Sequence, residues 1–381
     1  MKKIAAIILA LIMAACCLAQ AETLQEKSFP ATEEYVKLTG RTVMENGIRW
    51  MIHSGSSAGF RFRGTKVSII IAGDSAAGGA ISSRARLAVY VNGERVAEHM
   101  VGKRKETLEI FSSEEETEAE IVIIKLSEAA NSIFGIGEIR VAGSGDIEPL
   151  PEKGLKIEFI GDSITCGYGV DDEDRNHHFS TETEDATKTY AWKAAEVLDA
   201  DCSFISYSGH GIISGYSGNG KKVGSQRVPA VYEYLGKNYG SASSAVNLNQ
   251  AWDFSAFRPD IVVINLGTND DSYTKQDRER KEEFVAGYVE FLKTVRKNNP
   301  GAYIIAALGI MGDSLLPSIR EAVRRYTEET GDANLEALHL PPQDGSTGFA
   351  ADWHPTEATH AKAAKILADR IRVVLEEKQG T

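Results

Sequence analysis

Three clusters of small polar residues carry the chemistry legible in this sequence. The run Ile157-Glu158-Phe159-Ile160 ends in Gly161-Asp162-Ser163, and the run from Ile261 to Leu266 ends in Gly267-Thr268-Asn269-Asp270. The third cluster, Asp352-Trp353-His354-Pro355, lies almost two hundred residues beyond the first. A serine at the carboxyl end of a buried strand becomes a nucleophile when a base reaches it, and histidine is the usual base near neutral pH. Each cluster alone has a plainer reading. Gly, Asp and Ser are favoured in turns and helix N-caps, and His-Pro commonly opens a helix. Together they supply what acyl transfer needs: Ser163 as nucleophile, His354 as base, and donors for the oxyanion. The Ser163 N–H, at a helix start, and the Asn269 amide are two such donors. A third is a glycine in Ser208-Gly209-His210-Gly211, where Gly209 lies nearer the strand end and Gly211 competes with it. Asp352 is the acid nearest the base, and Trp353 offers a wall facing a sugar or an acyl group.

Two kinds of element must position these groups. Between about Glu34 and Val141 the pattern predicts short strands at Ile48–Ile52, Phe60–Arg63, Val67–Ile71, Leu87–Val91, Thr107–Ile110 and Glu120–Ile124, with turn signals such as Asn92-Gly93 between them. That pattern reads as an all-β, jelly-roll-like sandwich over residues 26–148. From Ile157 onward buried strands at Ile157–Ile160, Phe204–Ser206, Ile261–Leu266 and Tyr303–Leu308 alternate with helical stripes. One stripe is Phe284, Tyr288, Phe291 and Val295; another, after Pro355, is Ala364, Leu367, Ile371 and Val374. Such alternation implies an α/β/α domain with a parallel sheet over residues 154–381, with its site at the carboxyl ends of the strands. A linker from Gly143 to Pro151 separates the two modules, which are expected to be distinct but docked. The Gly-, Ser-, Tyr- and Asn-rich segment from Gly209 to Trp252 reads as a surface excursion over the site.

The chain has 381 residues, 43% of them hydrophobic, with a formal net charge of −12. That charge, with no extended Lys/Arg cluster, argues against a nucleic-acid partner. Met1-Lys2-Lys3, an apolar run to Leu18 and Ala19-Gln20-Ala21 predict a secretory signal over residues 1–21, and hence export to the periplasm or beyond. Met13-Ala14-Ala15-Cys16 loosely matches a lipoprotein cleavage box, so Cys16 is the one place where a lipid anchor could attach. Release after Ala21 ranks ahead of it. Beyond the signal only Cys166 and Cys202 remain, and a strand's length between them predicts two free thiols. Gly55-Ser56-Ser57-Ala58-Gly59 has nucleophile-elbow spacing but precedes a strand, which makes it a loop. Asp171-Asp172-Glu173-Asp174 with His177 and His178 reads as a solvated loop, and His210 and His360 as structural or exposed. No cofactor or metal is expected.

The four blocks, Gly161-Asp162-Ser163, the glycine after the second strand, Gly267-Thr268-Asn269-Asp270 and Asp352-Trp353-His354-Pro355, resemble those of the SGNH (GDSL) hydrolases. The longer run to Thr165-Cys166-Gly167-Tyr168-Gly169, with the β-module before it, resembles carbohydrate esterase family 2. The resemblance implies a serine esterase that removes O-acetyl groups from xylan- or glucomannan-type polysaccharide without a metal. One position departs from the pattern. The usual aspartate three residues before the histidine is Ala351 here, and Asp352, two before, points to the opposite face of an extended chain. Family 2 esterases are similar in tolerating a Ser-His dyad whose imidazole is held by backbone carbonyl groups. Two rivals stand beside this reading: a lipase or arylesterase of GDSL type, and a carbohydrate-binding protein with an inactive hydrolase module.

Overall fold

The computed structural model describes residues 26–237 and 245–379. The signal expected over residues 1–21, with Cys16, lies outside the described residues. The first module is one continuous antiparallel sheet of ten strands: β1 (Glu26–Phe29), β2 (Lys37–Thr39), β3 (Thr42–Glu45), β4 (Ile48–Met51), β5 (Ser57–Gly73), β6 (Arg86–Val91), β7 (Glu94–Met100), β8 (Lys105–Lys125), β9 (Phe134–Ala142) and β10 (Ile147–Pro149). The main path runs β3-β4-β9-β5-β8-β6-β7, with β1 on β9 and both β2 and β10 on β5.

Four of the short strands read from the sequence are halves of two long ones, because β5 is 17 residues and β8 is 21. Register shifts at Gly64/Lys66 and Val67/Ser68 bend the pair midway. A bulge of this kind sharpens twist and turns a strand. The first half of β5 then pairs with β2 and β10, and the second half with β9. The sheet therefore curls around a core that includes Phe60, Phe62, Ile69, Ile121, Phe134 and Ile139. β9 is a strand that the sequence reading lacks, since Gly135 and Gly137 interrupt its apolar alternation. Asn92 and Gly93, at φ 51° and 83°, make the two-residue turn between β6 and β7 that their sequence predicts.

The second module has a parallel five-stranded sheet of β11 (Leu155–Gly161), β12 (Ala200–Ser206), β13 (Ile261–Asn265), β14 (Tyr303–Gly309) and β15 (Leu335–Leu340), ordered β12-β11-β13-β14-β15. Its helices are α1 (Ser163–Cys166), α2 (Tyr190–Val197), α3 (Thr268–Thr274), α4 (Arg278–Asn298), α5 (Leu316–Thr330) and α6 (Glu357–Gln379). Val262 and Ile264 of β13 pack into one core with Phe284 and Phe291 of α4, while Ile261 and Val263 enter another with Ala191 of α2 and Leu367 of α6. Burial on both faces explains why β13 reads as an unbroken apolar run. β15, with four half-buried residues in six, is a strand the reading missed for the converse reason. The strand order reverses direction between β11 and β13, and such a switch point is where open α/β sheets place their ligands.

The linker is not a free tether, because β10 pairs back onto β5. Ion pairs cross between the modules at Lys37–Asp201 (2.6 Å), Arg86–Asp171 (2.7 Å) and Arg95–Asp185 (2.7 Å). Arg41, fully buried, donates to the Tyr232 carbonyl at 2.7 Å and lies over the rings of Tyr232, Trp252 and Phe254. In its described part the excursion after Gly209 also buries Val231 and Leu235 against Trp50 and Ile52 of the first module.

Candidate active site

β11 delivers Ser163 to the switch point as the first residue of α1. Asp162 caps that helix, its carboxylate accepting from the Ile164 N–H at 3.0 Å. The loop before α6 brings His354 to it, and the imidazole Nε2 lies 2.9 Å from the Ser163 hydroxyl. The other ring nitrogen, Nδ1, is 3.0 Å from the Ala351 carbonyl oxygen. A carbonyl only accepts, so Nδ1 carries the proton and Nε2 presents its lone pair to the serine O–H. Both residues are buried, each 8% exposed. Burial pushes the imidazole down to about 4, against the Ala351 carbonyl and the charge of Asp352, which favour the protonated ring. His354 is therefore neutral near pH 7. Tyr168 stacks on it, with ring centroids 4.0 Å apart and planes at 14°.

Asp352 does not hold the imidazole. Its carboxylate accepts from the Tyr168 hydroxyl and lies 2.8 Å from His178 Nδ1. Partial burial pushes its carboxyl up, but these hydrogen bonds outweigh burial and keep it below the usual carboxylate range. The backbone explains the placement, because Asp352 and Trp353 both lie in the left-handed region, at φ 48° and 62°. Such residues are costly for L-amino acids, about 1–2 kcal/mol each, and persist where the surroundings hold them. The twist turns the Asp352 side chain towards Tyr168 and leaves the Ala351 carbonyl facing the base. Trp353 is half exposed, with the Arg175 guanidinium 4.2 Å over its ring and its own carbonyl accepting from Gln343 at 2.8 Å. Residues 173–178 of the acidic loop are exposed, as its solvated-loop reading expects, and Asp171 is drawn inward, where it pairs with Arg86 and Lys188. His177 stays within the loop, 3.0 Å from Asp172.

The oxyanion candidates separate by what their donors already do. Among the described residues the N–H groups of Ser163 and Gly209 have no acceptor, whereas that of Gly211 donates to the Gln226 carbonyl at 3.3 Å. Gly209 sits at φ +74°, a conformation that suits glycine. Gly211 is small for another reason: a Cβ there would lie 2.2 Å from the Ser214 carbonyl oxygen and 2.3 Å from an Asp270 carboxylate oxygen. Asp270 clamps that loop, accepting from the N–H groups of Ile212, Ile213 and Ser214. Asn269 is buried beside Ser163's cap, and its amide donates to Asp162 at 3.1 Å and to the His210 carbonyl at 2.8 Å. His210 and His360 are buried; His210 Nδ1 lies 2.9 Å from the Ser208 carbonyl, and His360 accepts from the Tyr190 N–H. Cys166 and Cys202 are buried free thiols, Cys166 pushed well up and Cys202 up to about 12 by burial.

A nucleophile, a neutral imidazole and unspent N–H donors at the switch point of a parallel sheet are the parts of an ester hydrolase of the SGNH type. Residues 159–362 match the GDSL-like lipase/acylhydrolase family, and residues 38–151 match the carbohydrate esterase 2 N-terminal domain. Cellulase/esterase CelE of Acetivibrio thermocellus is 32% identical over 336 residues, 86% of this chain, which spans only 37% of that relative's length. An acetylxylan esterase / glucomannan deacetylase of Cellvibrio japonicus is 25% identical over 374 residues, 96% of each chain. Among solved structures, a family two carbohydrate esterase from Clostridium thermocellum, in complex with cellohexaose, superposes with a TM-score of 0.76 at 30% identity, covering 90% of this chain and 99% of that one. An acetyl xylan esterase from the rumen bacterium Butyrivibrio proteoclasticus does so with a TM-score of 0.83 at 25% identity, covering 93% and 99%. The chain belongs to the GDSL-like lipase/acylhydrolase family and, with both of its modules, to the family 2 carbohydrate esterases.

Proposed function

We propose that the protein is an exported esterase that removes O-acetyl groups from plant polysaccharide of the xylan or glucomannan type, through an acyl-enzyme on Ser163. The observation that carries the mechanism is the 2.9 Å contact between Ser163 Oγ and a His354 Nε2 whose tautomer is set by the Ala351 carbonyl. Ser163 attacks the acetyl carbonyl while Nε2 takes its proton. The oxyanion receives the free N–H groups of Ser163 and Gly209. It can also share the Asn269 amide, whose 3.1 Å bond to Asp162 is the longer of its two. Collapse expels the sugar oxygen, which takes the proton back from His354. Water then attacks the acetyl ester by the same route, releasing acetate and restoring the serine. Asp352 favours the transient imidazolium by its charge, while its carboxylate stays on Tyr168 and His178. Trp353, half exposed beside the base, is the wall proposed for the sugar. The glycan class rests on the relatives that are named acetylxylan esterase or glucomannan deacetylase. Export rests on the first 21 residues, with release after Ala21 preferred to anchoring at Cys16.

Acetate release from a panel of acetylated glycans, beside long-chain and aryl esters and with Ser163→Ala as control, tests this. Turnover of the glycans that vanishes in Ser163→Ala is expected. Activity confined to the simple esters would favour a lipase or arylesterase, and no turnover would leave a glycan-binding protein.

A further inference from the structure

The first module reaches into the catalytic centre at one residue that the mechanism above does not use. Glu128, in the turn between β8 and β9, is 2% exposed. Its Oε2 accepts from the Ser208 N–H at 2.7 Å, one residue before Gly209, and from the Cys166 thiol at 3.6 Å, the last residue of the helix that Ser163 begins. One carboxylate oxygen thus touches both of the backbone segments that carry the uncommitted N–H groups of Gly209 and Ser163.

The turn that carries Glu128 is itself fastened to the second module. The Glu128 N–H donates to Glu184 Oε2 at 3.0 Å, and the Ala186 N–H donates to the Leu126 carbonyl at 3.2 Å. Buried Lys125 donates to the Ser127 and Glu128 carbonyls, which places a cation beside the two acids. Burial pushes both carboxyls up, Glu184 well up, so the pair can share a proton beside Lys125. Either protonation state of Glu128 leaves an oxygen to accept from Ser208. An unpaired Ser208 N–H would instead be free to turn, and Gly209 with it.

We propose that Glu128 is a positioning residue for catalysis, a device by which the β-module sets the spacing between the Gly209 and Ser163 N–H groups. The inference rests on the oxyanion assignment above. Removing one oxyanion donor costs about 10²–10³ in kcat, and misplacing one by about 1 Å costs on the order of 10². Glu128→Leu, which keeps the volume and removes the acceptor, is therefore expected to lower kcat about 30- to 100-fold with KM within about twofold. Glu128→Gln retains a carbonyl acceptor and should stay within about threefold of wild type.

The experiment measures kcat, KM and Tm on an acetyl ester for these variants of the full chain, with Ser163→Ala and Lys37→Met as controls. Lys37→Met breaks a buried ion pair between the modules elsewhere, and should lower Tm while leaving kcat alone. If the leucine variant does not fold, Glu128→Asp reads the same contact, because a carboxylate one methylene shorter withdraws from Ser208 with its charge kept. A kcat unchanged in both variants would overturn the inference, as would a loss in Lys37→Met equal to that in Glu128→Leu. Retained activity in Ser163→Ala would instead overturn the site assignment itself.

Discussion

At the scale of single residues the site is a dyad with a carbonyl in place of the third acid. Ala351 fixes the His354 tautomer, and Asp352 is spent on Tyr168 and His178. Replacing His354 by alanine is expected to lower kcat by about 10³-fold or more, because no other base lies within reach of Ser163 Oγ among the described residues. Asp352→Asn should cost no more than about tenfold, since the amide keeps an oxygen for Tyr168 and never held the imidazole. Comparable losses in the two variants would refute the dyad. The pH profile follows from burial of the same ring. His354 must be neutral to take the serine proton, so kcat/KM should fall as pH drops through about 4 and not through the ordinary 6.5. An acid limb between 6 and 7 that persists when all other titrating groups near the site are neutralised would contradict the buried, neutral imidazole.

The elements set the spacing of these groups. β11, β12 and β13 end side by side, with Gly161 in register with Ser206 and Asn265, so the turns that follow all open onto one point. The two glycines after β12 should then respond differently to a methyl group. Gly209→Ala meets nothing nearer than the Gln226 side chain at 3.9 Å, and its cost is the left-handed backbone, about 1–2 kcal/mol. Gly211→Ala drives a carbon into the Asp270 clamp and should cost more, about 3 kcal/mol. Urea unfolding of both variants gives the order, and a Gly209 variant less stable than the Gly211 one would reject it. Activity should separate them the other way, with the larger loss of kcat per unit of lost stability at Gly209, the uncommitted donor.

The whole molecule behaves as one docked body in which buried ion pairs join the sheets. Asp185 is fully buried and draws on Arg95, which keeps a fifth of its surface in water. Arg95→Met strands that carboxylate and should cost about 2–3 kcal/mol, the lower end for a broken buried pair because Arg95 is partly solvated. Lys27→Met, at an exposed bridge to Asp146, should cost less than about 0.5 kcal/mol. Equal effects in urea titrations would mean that the interface pairs contribute no more than surface ones.

Much of this was legible in the sequence because it is local. Ser163 and Asn269 follow runs that are apolar but for Glu158 and Asn265, as strands buried on both faces tend to be, and the period of the stripes around Phe284 and Leu367 places those helices against the sheet. Asn92-Gly93 announced its hairpin for the same reason, since the turn's backbone demands those residues. The alternation also gave the two modules and the switch between them.

The tertiary structure decided what depends on chain segments far apart. Bulges inside β5 and β8 joined strands that looked separate, and an edge position hid β15. Two consecutive left-handed residues turned Asp352 away from His354 and put the Ala351 carbonyl in its place. Tyr168 came to stack on the base from 186 positions away in the sequence, and Glu128 came to Ser208 from 80 away. No period or turn signal encodes such meetings, because each is settled by packing between elements and not by the residues on either side.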